Sequence, residues 1–402
     1  MPKLSNRIAA IAPGGKNGWE VHFAAAQQAR AGRDVLFCSI GDHDFATPEE
    51  SVEACVRALR EGKHHYSDIP GIARLRDALA RISETSTGVP TKRENIIATI
   101  GGQAALFGAA QACVDPGDHA IIVSPYYATY PGTFRLAGAE VGVVLAMPEA
   151  GFQPTREVLE AAVRPNTRAL LINSPNNPTG TIYTRQTLAA IAEFAIAHDL
   201  WLISDEVYWS VAGSGTHLSP LALPAMAERT LVVNSLSKSH AMTGWRVGWL
   251  RAPEEVIRQL GELNLVVTYG LPEFISWAAA EAAENRWGVD EIAATYARRR
   301  ELFLSALAGA NSLGVRGSEG GMYVMLDVRA IEPSGEAFAW RLLEEEAMAV
   351  MPGESYGPAA TGHVRVSLCL PEEKLKDAAA RLKRLSQRYA APGKPGGKEA
   401  AE

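Results

Sequence analysis

Apolar residues fall into two rhythms along this chain. From Ile96 onward, short runs rich in β-branched residues read as buried strands: Ile96–Ile100, Ala120–Val123, Ala169–Ile172, Leu200–Ser204, Thr230–Val233 and Val247–Leu250. Longer segments with helical spacing separate them, among them Ala104–Cys113 and Gln186–His198, where Leu188, Ile191 and Ala195 share one face. Such alternation predicts an α/β fold, a largely parallel sheet covered by helices. Before it lie a helical patch at Phe23 to Arg30 and an apolar segment, Val35 to Ile40. Thr47-Pro48 opens a helix through Arg60, and another runs from Ala73 to about Ser83. Beyond about residue 285 the texture changes. A long charged helix runs from Asp290 towards Ala308, followed by strand Met322–Asp327 and a helix from Gly335 to about Ala347. Strands Ala349–Met351 and Val364–Leu368 and a last helix complete what reads as a smaller α+β domain. The expected division is an arm plus part of the small domain at 1–48, a large domain at 49–285, a small domain at 286–390 and a disordered tail at 391–402.

Composition narrows the class. The 402 residues suffice for two cores, and 39 Lys+Arg against 45 Asp+Glu leave a net charge of −6. No basic stripe suggests nucleic acid or a membrane surface, and no apolar run is long enough to span a bilayer. Met1 to Ala12 lacks a secretory pattern. Cys38, Cys55, Cys113 and Cys369 are scattered without a Cys-x-x-Cys pair, so neither a metal site nor a disulfide framework is expected. A reducing cytoplasm fits.

Chemistry concentrates just past the end of each strand. Gly101-Gly102-Gln103 comes after the first and opens a helix whose free amides suit an anion. Pro125-Tyr126-Tyr127 comes after the second, and Asn173 to Gly180 after the third. Asp205-Glu206-Val207-Tyr208 succeeds the fourth, and Asn234 to Gly248, with Lys238 between serines, succeeds the fifth. All five emerge on one edge of a parallel sheet, where such sheets hold ligands. A lysine there can bind an aldehyde as a Schiff base. A phosphorylated pyridine aldehyde accounts for the set. Lys238 takes the aldehyde, while the Gly102, Gln103 and Ala104 amides with Ser235, Ser237 and Arg246 hold the phosphate. Tyr127 stacks on the ring, Asp205 keeps the ring nitrogen protonated, and Asn177 and Tyr208 reach the ring hydroxyl. Taken singly, each residue has a plainer reading: a solvated lysine, a helix cap at Asp205, a turn at Asn177, a tight turn at Gly41, a surface aromatic at Tyr66. Together those readings leave the lysine unexplained. Pyridoxal 5'-phosphate is the economical answer.

At this point the sequence resembles the class I/II aminotransferases of PLP fold type I, from about Asn6 to Arg388. The resemblance rests on Asn177-Pro178-Thr179-Gly180, Asp205-Glu206-Val207-Tyr208, Ser235-Leu236-Ser237-Lys238 and Gly244-Trp245-Arg246-Val247-Gly248, in that order. It implies Lys238 as the Schiff-base lysine, Asp205 as partner of the pyridinium, and Asn177 and Tyr208 as ligands of the ring hydroxyl. It further implies Tyr127 as the stacking ring and Arg246 as a phosphate ligand. By the same match Tyr66 reaches the phosphate of a neighbouring subunit, hence a homodimer with shared sites. Arg365, in Val364-Arg365-Val366-Ser367, takes the substrate α-carboxylate, and Trp19 and the Gly41 loop lie beside the substrate. The chain departs from the family where Gly41-Asp42-His43-Asp44-Phe45 stands for the usual Gly-Glu-Pro-Asp-Phe. Within the family the wording resembles the arginine–pyruvate transaminases, in Trp19-Glu20-Val21-His22, Asp199-Leu200-Trp201 and Tyr269 to Ile275.

The expected reaction moves an amino group from an L-amino acid to a 2-oxo acid such as pyruvate. Glu20, Asp42 and Asp44 make the substrate neighbourhood acidic, and any one of them facing inward would favour a cationic donor such as arginine. Aspartate or aromatic aminotransferase activity, a PLP-dependent C–S β-lyase, and a non-catalytic PLP-binding regulatory domain are the alternatives.

Overall fold

The computed structural model describes residue 2 and residues 5–11, 18–213 and 215–389. The tail expected at 391–402 lies outside them. Seven strands form the main sheet. In chain order they are β1 (Ile96–Ile100), β2 (His119–Ser124), β3 (Glu140–Leu145), β4 (Thr167–Asn173), β5 (Trp201–Asp205), β6 (Thr230–Ser235) and β7 (Val247–Arg251). Their spatial order is β1-β7-β6-β5-β4-β2-β3. β7 runs antiparallel to both neighbours, so β1 points the same way as β2 to β6. The sheet is thus mixed by one strand, yet the five strand ends singled out by sequence open on one edge.

Alternation decides the packing. In β2, Ala120 and Ile122 enter one core while Ile121 and Val123 enter another on the opposite face. Every residue of β2 is buried, because helices cover both faces. Leu188, Ile191 and Ala195 of the helix Arg185–Ala197 seal one of those cores, and Thr184 caps that helix by accepting from Thr187 N. β3 was not expected from the sequence. It is the edge strand, with Val143 and Leu145 exposed although its run Val141–Leu145 is as apolar as those of its neighbours.

A second sheet, four-stranded and antiparallel, contains Gly314–Arg316, Tyr323–Asp327, Met351–Pro352 and His363–Ser367. The expected strand Ala349–Met351 is split: Met348–Ala349 pairs in parallel with Leu36–Phe37, while Met351–Pro352 joins the second sheet. Val350 between them turns the chain from one sheet to the other. The core beneath is built by Phe303, Phe338, Leu342, Val364, Leu375 and Leu382, and it reaches Tyr208 and Ala241 beside the main sheet. Arg365 therefore hangs over the edge where β4, β5 and β6 end.

Candidate active site

Strand register places the first groups. Asn173 and Asp205 are cross-strand partners at the ends of β4 and β5. Asn173 donates from Nδ2 to the Asp205 carbonyl at 2.8 Å, and its Oδ1 accepts from Asn177 N at 2.8 Å. Those bonds fold the loop back so that Asn177 faces Tyr208, with Nδ2 to hydroxyl at 3.3 Å. The Tyr208 hydroxyl is 3.1 Å from that of Tyr323, on the second sheet.

Asp205 is buried and holds its carboxylate between the Tyr130 hydroxyl, donating at 2.7 Å, and Val207 N at 3.2 Å. Burial outweighs these two donors and pushes its carboxyl up to about 6. A cation placed against it would restore the charged form.

The lysine stretch folds as a short helix, Leu236–Ser239, capped by Ser235, whose Oγ accepts from Ser237 N at 3.0 Å. Ser235 Oγ also lies 2.9 Å from the Val247 carbonyl and 2.8 Å from Ser237 Oγ, so the two hydroxyls are joined to each other and to β7. Lys238 Nζ donates to the Gly41 carbonyl at 2.5 Å. Burial lowers the Lys238 ammonium pKa, with Arg365 and Arg246 pushing the same way against Cys369 and Asp42. That leaves more free amine than an exposed lysine has, as nucleophilic attack requires.

Two glycines are dictated by close approach. A Cβ on Gly101, at φ +74°, would sit 2.2 Å from the Arg246 guanidinium. Arg246 itself holds φ 57° and donates from Nη1 to the Thr243 carbonyl at 2.8 Å. A Cβ on Gly41 would meet the Tyr323 hydroxyl at 1.8 Å.

Arg365 is buried between the rings of Tyr323 and Tyr356, 4.1 and 5.1 Å from their centroids. Its Nη1 donates to Asn177 Oδ1 at 2.9 Å and its Nη2 to the Ser39 carbonyl at 2.5 Å. Its Nε has no partner among the described residues.

One cavity of about 260 Å³ gathers Gly102, Gln103, Tyr127, Asn177, Asp205, Tyr208, Ser235, Ser237, Lys238, Arg246, Arg365, Gly41 and Trp19. Two expected residues lie elsewhere. Ala104 lines an adjoining groove of about 1030 Å³, shared with Trp19, Gln103 and Arg246. Tyr66 stands 85% exposed against the Tyr269 ring, away from its own chain's cavity. Of the three carboxylates weighed for substrate, Asp44 is taken by Arg299, which donates to both its oxygens at 2.6 and 2.9 Å. Asp42 is exposed and accepts from Thr243 Oγ1 at 2.7 Å. Glu20 lines the groove. Sequence reasoning missed Tyr130, Asn173 and Tyr323. Asn173 opens a stretch already singled out, and Tyr130 stands three residues after Tyr127, where the helix Tyr130–Ala137 begins.

The residues fit pyridoxal phosphate: a buried amine, a buried carboxylate across from it, and an arginine with free helix amides at one end. The chain matches the description "Aminotransferase class I and II" over residues 33–382. It is 41% identical to an arginine–pyruvate transaminase of Pseudomonas aeruginosa, over 92% of this chain and 95% of that protein. It is 40% identical to an aspartate/prephenate aminotransferase of Thermus thermophilus, over 96% and 99%. The structure of Thermus thermophilus aspartate aminotransferase with maleate superposes with a TM-score of 0.90 at 40% identity, covering 96% of this chain and all of that one. An aromatic aminotransferase from Pyrococcus horikoshii gives 0.84 at 34%, over 90% and 99%. Sheet, cavity and sequence agree: this chain belongs to the class I and II aminotransferases, pyridoxal 5'-phosphate enzymes of fold type I.

Proposed function

We propose that this aminotransferase takes its amino group from arginine or another basic or neutral L-amino acid and passes it to pyruvate or a similar 2-oxo acid. The observation that carries the reading is that Lys238, Asp205 and Arg365 open into one small cavity. Pyridoxal phosphate, when bound, supplies an aldehyde for the amine and a ring that withdraws electrons from the substrate Cα. The chain does the rest. Lys238 Nζ would hold the group's aldehyde and, when released, would move the proton to and from the substrate Cα. Asp205 holds a proton on the ring nitrogen, and Asn177 and Tyr208 hold the ring hydroxyl. Arg246, Ser237, Ser235 and the first-turn amides of Gly102, Gln103 and Ala104 hold the phosphate. Tyr127 covers a ring face. Arg365, rigid between two tyrosines, offers its fork to the α-carboxylate that all amino acids share.

Side-chain choice rests on what surrounds that fork. Among the described residues lining the cavity, the cations are Lys238, Arg246 and Arg365, each with a task already. None is spare for an acidic side chain, while the groove beyond Trp19 carries Glu20, Glu336 and Glu354 beside Arg135. The relative named for arginine and pyruvate supports the same choice.

The working form is proposed to be a homodimer, cytoplasmic, with each site completed by Tyr66 of a second copy. An exposed apolar patch supports this: Tyr66 at 85%, Val266 at 84%, Val267 at 55% and Tyr269 at 52%. The deep groove beside the cavity gives such a patch somewhere to lie. Among the described residues no helix is long and apolar enough to cross a membrane.

Single-turnover spectra with each amino acid in turn test the function. Arginine and alanine are expected to discharge the lysine-bound cofactor faster than aspartate or glutamate. Aspartate or glutamate winning tenfold in kcat/KM would return the protein to the aspartate-specific group. Repeated release of pyruvate and ammonia from cysteine, beyond one equivalent per site and with no 2-oxo acid present, would make it a β-lyase.

A further inference from the structure

His43 stands where the family usually has proline, and the proline could make none of its bonds. Its Nε2 lies 3.2 Å from the Ser237 carbonyl, one residue before Lys238. Its Nδ1 lies 2.9 Å from the Tyr296 hydroxyl. A carbonyl only accepts, so Nε2 carries the hydrogen. Burial, and next the Lys238 charge, lower the imidazole to about 4, so at neutral pH the ring is uncharged and Nδ1 accepts from Tyr296. The Tyr296 oxygen is in turn 3.4 Å from Cys369 Sγ, whose thiol burial keeps protonated. Tyr296 has one proton and two acceptors within reach, His43 Nδ1 at 2.9 Å and Cys369 Sγ at 3.4 Å, and the shorter bond takes it; His43 gives its own to Ser237. Phe45 packs on the ring at 4.9 Å, and Asp44 beyond it is neutralised by Arg299.

The other end of this segment is the Gly41 carbonyl, which receives Lys238 Nζ at 2.5 Å. Residues 41–43 therefore clasp the lysine twice, at its amine and at the carbonyl preceding it. Three elements meet there, namely the Gly41 loop, the lysine helix and the helix Val289–Leu307 that carries Tyr296. We propose that His43 is a positioning residue for Lys238: by joining Ser237 to Tyr296 it fixes the place where the Gly41 carbonyl holds the lysine amine while it is free of the cofactor. This rests on Lys238 being the cofactor-binding lysine. A misplaced amine would slow the proton transfer and leave amino-acid binding at Arg365 untouched, because positional errors of an ångström at the reacting groups tell on kcat.

The test uses the holoenzyme with His43→Phe, which keeps the ring's bulk without its hydrogen bonds, His43→Gln, which keeps a donor to Ser237, and Tyr296→Phe. His43→Phe is expected to lower kcat about tenfold with KM within about twofold, and to move the pH midpoint of the lysine-bound cofactor's absorbance. His43→Gln should recover most of both. Tyr296→Phe should shift both in the same direction, and the double variant should be no worse than His43→Phe, since one chain is cut either way. Nitrogen NMR of the labelled ring should show a neutral Nε2–H tautomer at pH 7. Wild-type kcat and midpoint in His43→Phe or Tyr296→Phe, or an Nδ1–H tautomer, would overturn the proposal. So would a loss that glutamine does not relieve. Lys238→Ala is the separate control: turnover surviving in it would sink the reading beneath, whatever His43 does.

Discussion

Tyr130 donates its phenolic hydrogen to Asp205 at 2.7 Å, and this bond does not suffice to keep the carboxylate charged. Burial dominates, and the group is pushed up to about 6 from an ordinary value of 3.8. In the cofactor-free protein Asp205 takes up its proton more readily than in the unfolded chain. Its cost is therefore absent below about pH 4, grows as pH rises to about 6, and is constant above, at roughly 3 kcal/mol. Asp205→Asn should remove that cost. The cofactor-free variant should melt higher than the parent at pH 7.5, with the gap closing by pH 4. Activity should fall about 10²- to 10³-fold, as when one charge-stabilising group is lost. Calorimetry across pH beside kcat/KM checks both; a variant that melts lower at pH 7.5 would refute the account of the site's strain.

How much of this could be read in advance depends on which residues act through the chain's local order. Lys238, Asp205, Asn177 and the Gly101 turn each sit at the end of a strand whose apolar run is unmistakable, so their convergence was legible before any contact was known. Tyr323 and Ser39 were not. They approach from elements far away in sequence, and a tyrosine inside the run Met322–Asp327 looks like any strand aromatic. The fate of Asp44 was equally hidden, because its partner Arg299 is 255 positions away.

Arg365 makes a second prediction. Its fork is held by Asn177 and Ser39 and flanked by Tyr323 and Tyr356, so its direction is fixed before substrate arrives. Arg365→Lys keeps the charge but not the two-pronged geometry. Losing one charge-assisted bond, about 1.5–3 kcal/mol, should raise KM for amino donors roughly ten- to a hundredfold. The factor should be the same for arginine and alanine, whose α-carboxylates are identical. Steady-state kinetics with both donors decide it, and a factor differing tenfold between them would move Arg365 from the α-carboxylate to the side chain.

Tyr66 gives a third. Its ring lies outside its own cavity, so a chain lacking Tyr66 and a chain lacking Lys238 should complement one another. In an equimolar mixture of Tyr66→Ala and Lys238→Ala, half the dimers are mixed and each has one intact site. Activity should rise to about a quarter of wild type after subunit exchange, well above the average of the parents. No rise, with mixed dimers shown to be present by mass, would place Tyr66 outside the partner's site.

The last prediction separates the carboxylates near the substrate. Asp44 and Glu20 both lie in the acidic neighbourhood seen in sequence, but the structure gives them different surroundings. Arg299 is 8% exposed and binds both oxygens of Asp44, so Asp44→Asn leaves a buried guanidinium short of its counter-charge. Removing one partner of such a pair costs about 3–5 kcal/mol, reduced here by the partial exposure of Asp44. The variant should melt several degrees lower, while its preference for arginine over alanine stays unchanged. Glu20 lines the groove that continues the cavity past Trp19, where a long cationic side chain would extend. Glu20→Gln should lower kcat/KM for arginine roughly tenfold and leave alanine within about twofold, since only the former brings a charge to that place. Measuring kcat/KM for both donors on both variants, with melting curves alongside, gives four independent readings. If Asp44→Asn changes the donor ratio and Glu20→Gln does not, the side-chain pocket lies on the Gly41 loop, and the cationic substrate reading has to be rebuilt around it.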